Sequence, residues 1–344
     1  MKFVVDSSIP FIEGVFEPWA TVVYKHGNEI NHLDVIDADA LIISNLVRVN
    51  STLLDNTLVK MVSLNTVGLD RVDQDYCAHN GIFVQNAGGS NAGALCNYVF
   101  SALYGCAARK SIELKGKTIG IIGGGVAGSR VEMVAHTLGF NVLMRDPIRE
   151  QEEGLTHFCS LDHLLQNSDI VTLHCPLNDS TKGMCDASFF EKMRFGAFFI
   201  NTARGELVDE KALLEARAKL GAIIIDTWNN EPYINHALLE KVDIGTPHIA
   251  GFSYQAKLNG TRAAVRSVAR YFGITELYDF FPKPDIENME ACHVDVAGMS
   301  QGQIASTFQY NYPIFTDDFM LRMDPDGFAR LRQDYRYRRE FYIN

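Results

Sequence analysis

Three side chains in the second half of the chain have the types and spacing for removing hydride from a hydroxyl carbon. They are Arg204 in "NTARGELV", Glu231 in "DTWNNEP" and His248 in "GTPHIAGF". Such a reaction needs a base for the hydroxyl proton, and its reverse needs an acid. Histidine titrates near neutrality and suits both directions. A carboxylate on the other ring nitrogen fixes the tautomer and stabilises the imidazolium, the part open to Glu231. Arg204 offers a two-pronged donor to a carboxylate beside the reacting carbon.

A hydride acceptor is written into "TIGIIGGGVAGSRVEMVAHTLGFNVLMRDP", which carries Gly123-x-Gly125-x-x-Gly128. The glycines follow an apolar run and open a helical pattern. A second apolar run then ends at Asp146, eighteen residues beyond Gly128. This is the layout of a dinucleotide-binding turn. Gly123 permits the tight turn, Gly125 lets a pyrophosphate approach the backbone, and Gly128 allows close helix–strand packing. The pyrophosphate would rest on the free N–H groups of the helix N-terminus. Asp146 can accept the ribose hydroxyls and would repel a 2′-phosphate, which favours NAD over NADP. Asp226 is expected nearer the nicotinamide. His174, in "LHCPL", reads as local packing, and Asp209 as a helix N-cap.

These groups need elements to hold them. "KFVVDS", "ATVVYK", "ADALIISN", "LVKMVSLN" and "GIFVQN" read as one series of strands. "KTIGIIG", "NVLMRD", "DIVTLHC", "GAFFINT", "GAIIIDT" and "VDIGTPH" form a second. The second series is apolar on both faces, as buried parallel strands are. Arg204, Asp226 with Glu231, and His248 then follow three successive strands, and the carboxyl ends of such strands form the ligand crevice. The proline-free stretch "NAGALCNYVFSALYGCAARKSIEL" predicts a connecting helix, and "YQAKLNGTRAAVRSVARYFG" predicts a second one. The fold expected is α/β, with two Rossmann-like doubly wound parallel-sheet domains, one inserted into the other and the two crossings forming a hinge. After Phe272 a proline-rich linker leads to a third, smaller unit.

Composition narrows the partners. The 344 residues are 47% hydrophobic and 21% charged, ordinary for a soluble globular chain. A net charge of −11 argues against nucleic acid, whose phosphates demand clustered Lys and Arg. An anionic small substrate needs only a local basic pocket. Acids at Asp6 and Glu13 break any secretory core, and no apolar run approaches the ~18 residues of a membrane span. The seven cysteines are odd in number and lack a CxxC pair, so neither structural zinc nor a disulfide framework is expected. These features predict a cytoplasmic protein without a metal site or membrane partner.

Over roughly residues 1–272 the chain resembles the D-isomer-specific 2-hydroxyacid dehydrogenase family. The motifs are the glycine turn with Asp146, "HCPLNDST" at 174–181, "INTARGELVDEKAL" at 200–213, "DTWNNEP" at 226–232 and "TPHIAG" at 246–251. The resemblance puts the family's catalytic Arg, Glu and His on Arg204, Glu231 and His248. It implies NAD contacts at Val126, Ala127, Asp146, Cys175, Thr202, Ala203, Asp226 and Gly251. Substrate contacts fall on Asn45, Thr66 and Phe252, with backbone N–H groups around Gly68 holding a carboxylate. The implied substrate is a small phosphorylated 2-hydroxy acid. The implied domains are substrate-binding over 1–93 and 253–282, NAD-binding over 94–252, and a C-terminal α+β homodimerisation domain over 283–344. Four positions depart from the pattern: Ser44-Asn45 stands for Arg-Ser, Asn97 for a glutamate, and Phe252 for a tyrosine. Arg48, Lys257 or the Arg338–Arg339 pair are the cations left to meet a phosphate. Two other readings share the motifs: a dehydrogenase of 3-phosphoglycerate, glycerate or lactate, and an NAD-sensing interaction protein.

Overall fold

The computed structural model describes residues 1–154, 156–283 and 289–344. Residues 284–288, in the linker expected before the C-terminal unit, lie outside the described residues. The chain forms two compact units, Met1–Asn91 with Ser253–Glu290, and Ala92–Phe252 with Ala291–Asn344.

In the first unit, β1 (Lys2–Asp6), β2 (Thr21–Lys25), β3 (Ala40–Ile43), β4 (Met61–Leu64) and β5 (Phe83–Gln85) are all parallel, in the order β2-β1-β3-β4-β5. Strands β3 and β4 are buried along their whole length, because chain packs on both faces of the sheet. On one face the Tyr254–Phe272 helix sets Ala264, Val265 and Val268 against Phe3, Val5 and Ile42. Gly260 allows that helix to lie on the sheet, since a Cβ there would stand 2.3 Å from the Asn65 carbonyl oxygen.

In the second unit, β6 (Thr118–Ile122), β7 (Asn141–Arg145), β8 (Ile170–Leu173), β9 (Phe198–Asn201), β10 (Ala222–Ile225) and β11 (Ile244–Gly245) form a parallel sheet ordered β11-β10-β9-β8-β6-β7. All eleven apolar runs of the sequence are strands, and the doubly wound α/β class is as expected. The chain leaves β6 for one side and returns as β8 on the other, so the switch point lies at the glycine turn. Beyond β11 the edge is covered rather than open. Asp318, on the Ile314–Met323 helix, accepts the Gly245 N–H at 2.8 Å.

The Ala92–Lys110 helix buries fifteen of its nineteen residues, so it has no solvent face. The reason is that both sides are covered. One side meets the sheet, the Val126–Thr137 helix through Val131 and Val134, and Phe140 just before β7; the other meets Phe308, Tyr312, Ile314 and Phe341. Residues 291–344, set apart in sequence by their linker, thus share one core with the second unit. They include the Gln301–Asn311 and Phe328–Gln333 helices and the parallel pair β12 (Cys292–Val294) and β13 (Phe341–Ile343). Asn97 stitches the two parts by donating to the Phe341 carbonyl at 2.7 Å and accepting its N–H at 3.0 Å.

Candidate active site

The turn after β10 is built around Asp226. Its carboxylate is fully buried and accepts from Thr246 Oγ1 at 2.6 Å, Ile249 N–H at 2.8 Å and Ala250 N–H at 2.9 Å. Tyr98 joins the same network through its hydroxyl, 2.7 Å from Thr246 Oγ1. The Asp226 oxygens are thus engaged by the loop that follows β11. Burial raises the carboxyl, while His248 and the three donors act in the opposite sense. Trp228 braces the same loop by donating its indole N–H to the Thr246 carbonyl at 2.9 Å.

Glu231 receives the Trp228 N–H on Oε1 at 2.9 Å and faces His248 Nδ1 with Oε2 at 2.7 Å. Burial alone would raise Glu231, but His248 and the hydrogen bonds prevail and hold it below the usual glutamate value. The pair is partly open to solvent, with side-chain exposures of 25% for His248 and 21% for Glu231. His248 sits at φ +56°, a left-handed conformation that costs a non-glycine residue energy and must be held by its surroundings. Its own N–H is donated to the Asp226 carbonyl at 2.8 Å.

Arg204 follows β9 at a tight turn. Asn201 shapes that turn, accepting the Ala203 N–H at 3.0 Å and donating to the Arg204 carbonyl at 2.8 Å. Gly205 lets it approach the neighbouring strand end, since a Cβ would stand 2.0 Å from the Trp228 carbonyl carbon. Arg204, Asp226 with Glu231, and His248 therefore leave three adjacent strands of one sheet.

The glycine turn fits a dinucleotide. A Cβ at Gly123, itself at φ +98°, would strike the Cys175 backbone nitrogen at 2.5 Å. One at Gly128 would reach the Gly123 carbonyl oxygen at 1.9 Å, whereas Gly125 faces open space. Gly125 caps the Val126–Thr137 helix without any side chain on the first N–H groups. Asp146 accepts the Gly124 N–H at 2.8 Å and caps the helix at Pro147–Glu153. The two arginines near it are occupied by carboxylates, Arg145 by Glu150 and Arg149 by Glu153. Thr202 and Ala203 are buried after β9, where Thr202 Oγ1 has no hydrogen-bond partner, and Cys175 is buried after β8. Val126 is exposed, Ala127 and Gly251 half-buried. His174 is half-buried with its ring desolvated, which lowers its imidazole to about 3, so it is a neutral packing group bonded to Thr172 at 3.0 Å.

In the first unit the substrate candidates occupy the carboxyl edge of the sheet. Ser44, after β3, is buried and bonded to Asp6, while Asn45 is exposed. After β4, Asn65 Oδ1 and Thr66 Oγ1 are buried and lack hydrogen-bond partners. Gly68 lies in the half-buried turn that follows. Phe252, in the second unit, packs edge-on against Tyr335 and Tyr337, both at 6.1 Å between centroids.

Sequence spacing missed the groups that hold the His248 loop from its carbonyl side. Arg332 Nε donates to the His248 carbonyl at 3.2 Å. Arg338 donates to the carbonyls of Phe252, Ala250 (3.1 Å) and Ala94 (2.9 Å), with its guanidinium 3.7 Å from the Tyr312 ring centre. Arg338, one of the cations the sequence offers to a phosphate, gives these bonds to backbone carbonyls. The pairings with the loop span 84 to 88 residues, which no local motif encodes.

Residues 104–250 match the family model described as D-isomer specific 2-hydroxyacid dehydrogenase, NAD binding domain. An erythronate-4-phosphate dehydrogenase of Bacteroides fragilis is 38% identical over 353 residues, covering 99% of this chain and 97% of that one. One from Hahella chejuensis is 36% identical, covering 99% and 93%. Among solved structures, the NAD+-bound 3-phosphoglycerate dehydrogenase of Entamoeba histolytica shares the fold, with TM-score 0.68 and 24% identity over 81% of this chain and 97% of that one. The strand ends, the glycine turn and near-full-length relatives agree: the chain belongs to the D-isomer specific 2-hydroxyacid dehydrogenase family and is an NAD-dependent dehydrogenase.

Proposed function

We propose that the protein oxidises 4-phospho-D-erythronate at C2 to 2-oxo-3-hydroxy-4-phosphobutanoate, a step toward pyridoxal 5′-phosphate. The observation that carries the chemistry is the Glu231–His248 contact of 2.7 Å on a braced loop. The substrate rests on the relatives named for it, whose similarity covers 99% of this chain, C-terminal region included.

His248 takes the C2 hydroxyl proton on Nε2 during oxidation and returns it during reduction. Glu231 holds Nδ1, so the proton-carrying nitrogen is fixed and the imidazolium stabilised. Arg204 pairs with the substrate carboxylate and orients C2. The backbone around Gly68, with Asn45 and Thr66, supplies further donors to substrate, and Phe252 a wall. When bound, NAD supplies the hydride acceptor. Gly123, Gly125, Val126, Ala127 and Gly128 would hold its pyrophosphate, Asp146 its ribose, and Cys175, Thr202, Ala203 and Gly251 its nicotinamide half. Asp226 would lie near the nicotinamide, its carboxylate bonded to the loop that carries His248. Asp146 would repel a 2′-phosphate, and the pairing of Arg145 with Glu150 and of Arg149 with Glu153 leaves those cations engaged, which supports NAD over NADP.

We place the enzyme in the cytoplasm as a homodimer formed through residues 283–344. Seven unpaired cysteines, five of them buried, support a reducing compartment. Exposed Phe319, Met320 and Met323 on the Ile314–Met323 helix support an interface there.

The test is a panel of 4-phosphoerythronate, 3-phosphoglycerate and D-lactate followed by NADH absorbance, with His248→Ala alongside. The wild type is expected to prefer 4-phosphoerythronate. His248→Ala should lower turnover by about 10² or more with NADH binding nearly intact. Preference for an unphosphorylated acid would overturn the substrate assignment.

A further inference from the structure

We propose that Arg332 and Arg338 act as positioning residues for His248, gripping alternate carbonyls of its loop so that the imidazole keeps its aim. The inference rests on the acid–base reading of His248 above and adds what holds it.

The loop from His248 to Phe252 is tied on two sides. On the N–H side, Asp226 accepts from Ile249 and Ala250. On the carbonyl side, Arg332 takes His248, and Arg338 takes Ala250 and Phe252. The carbonyls so held belong to every second residue. A carboxylate below and two guanidinium groups above leave the loop little freedom to rotate its peptides. That restraint matters because His248 occupies a left-handed conformation, from which an untied backbone would relax toward the common regions.

Each arginine is itself anchored. Arg338 stands over the Tyr312 ring, and its third carbonyl contact is Ala94, at the start of the Ala92–Lys110 helix. Arg332 lies on the Phe328–Gln333 helix with its guanidinium 5.5 Å from the centre of the Phe252 ring. A planar fork can serve two carbonyls at once, which a lysine ammonium on a flexible stem does less well. The C-terminal residues therefore help to complete the catalytic loop from within the same unit.

The experiment uses the full chain and the variants Arg338→Met, Arg338→Lys and Arg332→Gln, with Arg336→Gln as an exposed neighbour. Each is measured for kcat and KM, for NADH affinity by fluorescence, and for hydrogen–deuterium exchange of the peptide covering 246–252. Arg338→Met should lower kcat at least tenfold, with KM and NADH affinity within about twofold, and speed exchange of that peptide at least tenfold. Arg332→Gln should do the same to a smaller degree, Arg338→Lys should recover part of the loss, and Arg336→Gln should match the wild type. If Arg338→Met fails to fold, Arg332→Gln carries the same comparison. Unchanged kcat and unchanged exchange in Arg332→Gln and a folded Arg338 variant would overturn the proposal. Turnover surviving in His248→Ala would instead overturn the reading beneath it, and the exchange data would still judge whether the arginines hold the loop.

Discussion

At the scale of single residues, two acids of the second unit are both raised by burial yet end shifted in opposite directions. Glu231 is held below its usual value because, after the cost of burial, His248 and its hydrogen bonds favour the ionised form. Its contribution to stability is present above the unfolded-state value and is lost as pH falls through the lowered one. Asp317 is pushed up by burial to about 6, with Arg338 and Tyr335 only partly offsetting it. A raised carboxyl stabilises the fold below its unfolded value of 3.8, and that stability is lost as pH rises toward about 6. The melting temperature of Asp317→Asn relative to wild type should therefore climb between pH 4.5 and pH 7.5, a trend that thermal melts across the range would read. A flat difference would mean that Asp317 ionises freely. That Arg204, Glu231 and His248 leave three strand ends was legible in sequence, because each follows its own strand within a few residues. Arg332 and Arg338 were not, because a guanidinium gripping a backbone carbonyl leaves no trace in the residue type it grips.

At the scale of elements, all eleven strands of the two main sheets could be read from their apolar runs, down to β11 with its two residues. Buried parallel strands advertise themselves, since both faces must be apolar. Less legible was how closely the strand-end turns approach one another. Gly205 shows the tolerance: a methyl group there would meet the Trp228 backbone, not a side chain that could swing away. Gly205→Ala should cost about 1–3 kcal/mol of stability as an overpacked site. It should also raise the KM for the acid substrate more than it weakens NADH, because the displaced turn carries Arg204. Denaturant melts and steady-state kinetics together check both halves. Equal losses for acid and cofactor would show that the whole sheet edge had shifted. Asn97 was a departure without meaning in the sequence; its two bonds to Phe341 give it a structural task on a buried helix.

At the scale of the molecule, the linker after Phe272 suggested a separate C-terminal unit, yet residues 291–344 share a core with the NAD-binding unit. Composition and a proline-rich boundary report where a chain changes character, and cannot report which surface the next segment will cover. What these residues leave outward is apolar in places, with Tyr310 87% and Met323 67% exposed. If that surface joins two copies, Phe319→Asp combined with Met323→Glu should turn a dimer into a monomer by light scattering. The secondary structure should be unchanged, since both side chains point to solvent. A wild type that is monomeric at micromolar concentration would remove the homodimer from the functional reading.

The doubly covered Ala92–Lys110 helix also has a consequence for how the protein is made. Ser101 waits for Gln309, and Asn97 for Phe341, partners synthesised 208 and 244 residues later. At about 5–20 residues per second that is some ten to fifty seconds of translation with one flank of the helix bare. During this interval the nascent chain presents the same sticky face that later becomes its core. A cell that makes this enzyme quickly must shield that face, and its yield will depend on how promptly the shield arrives.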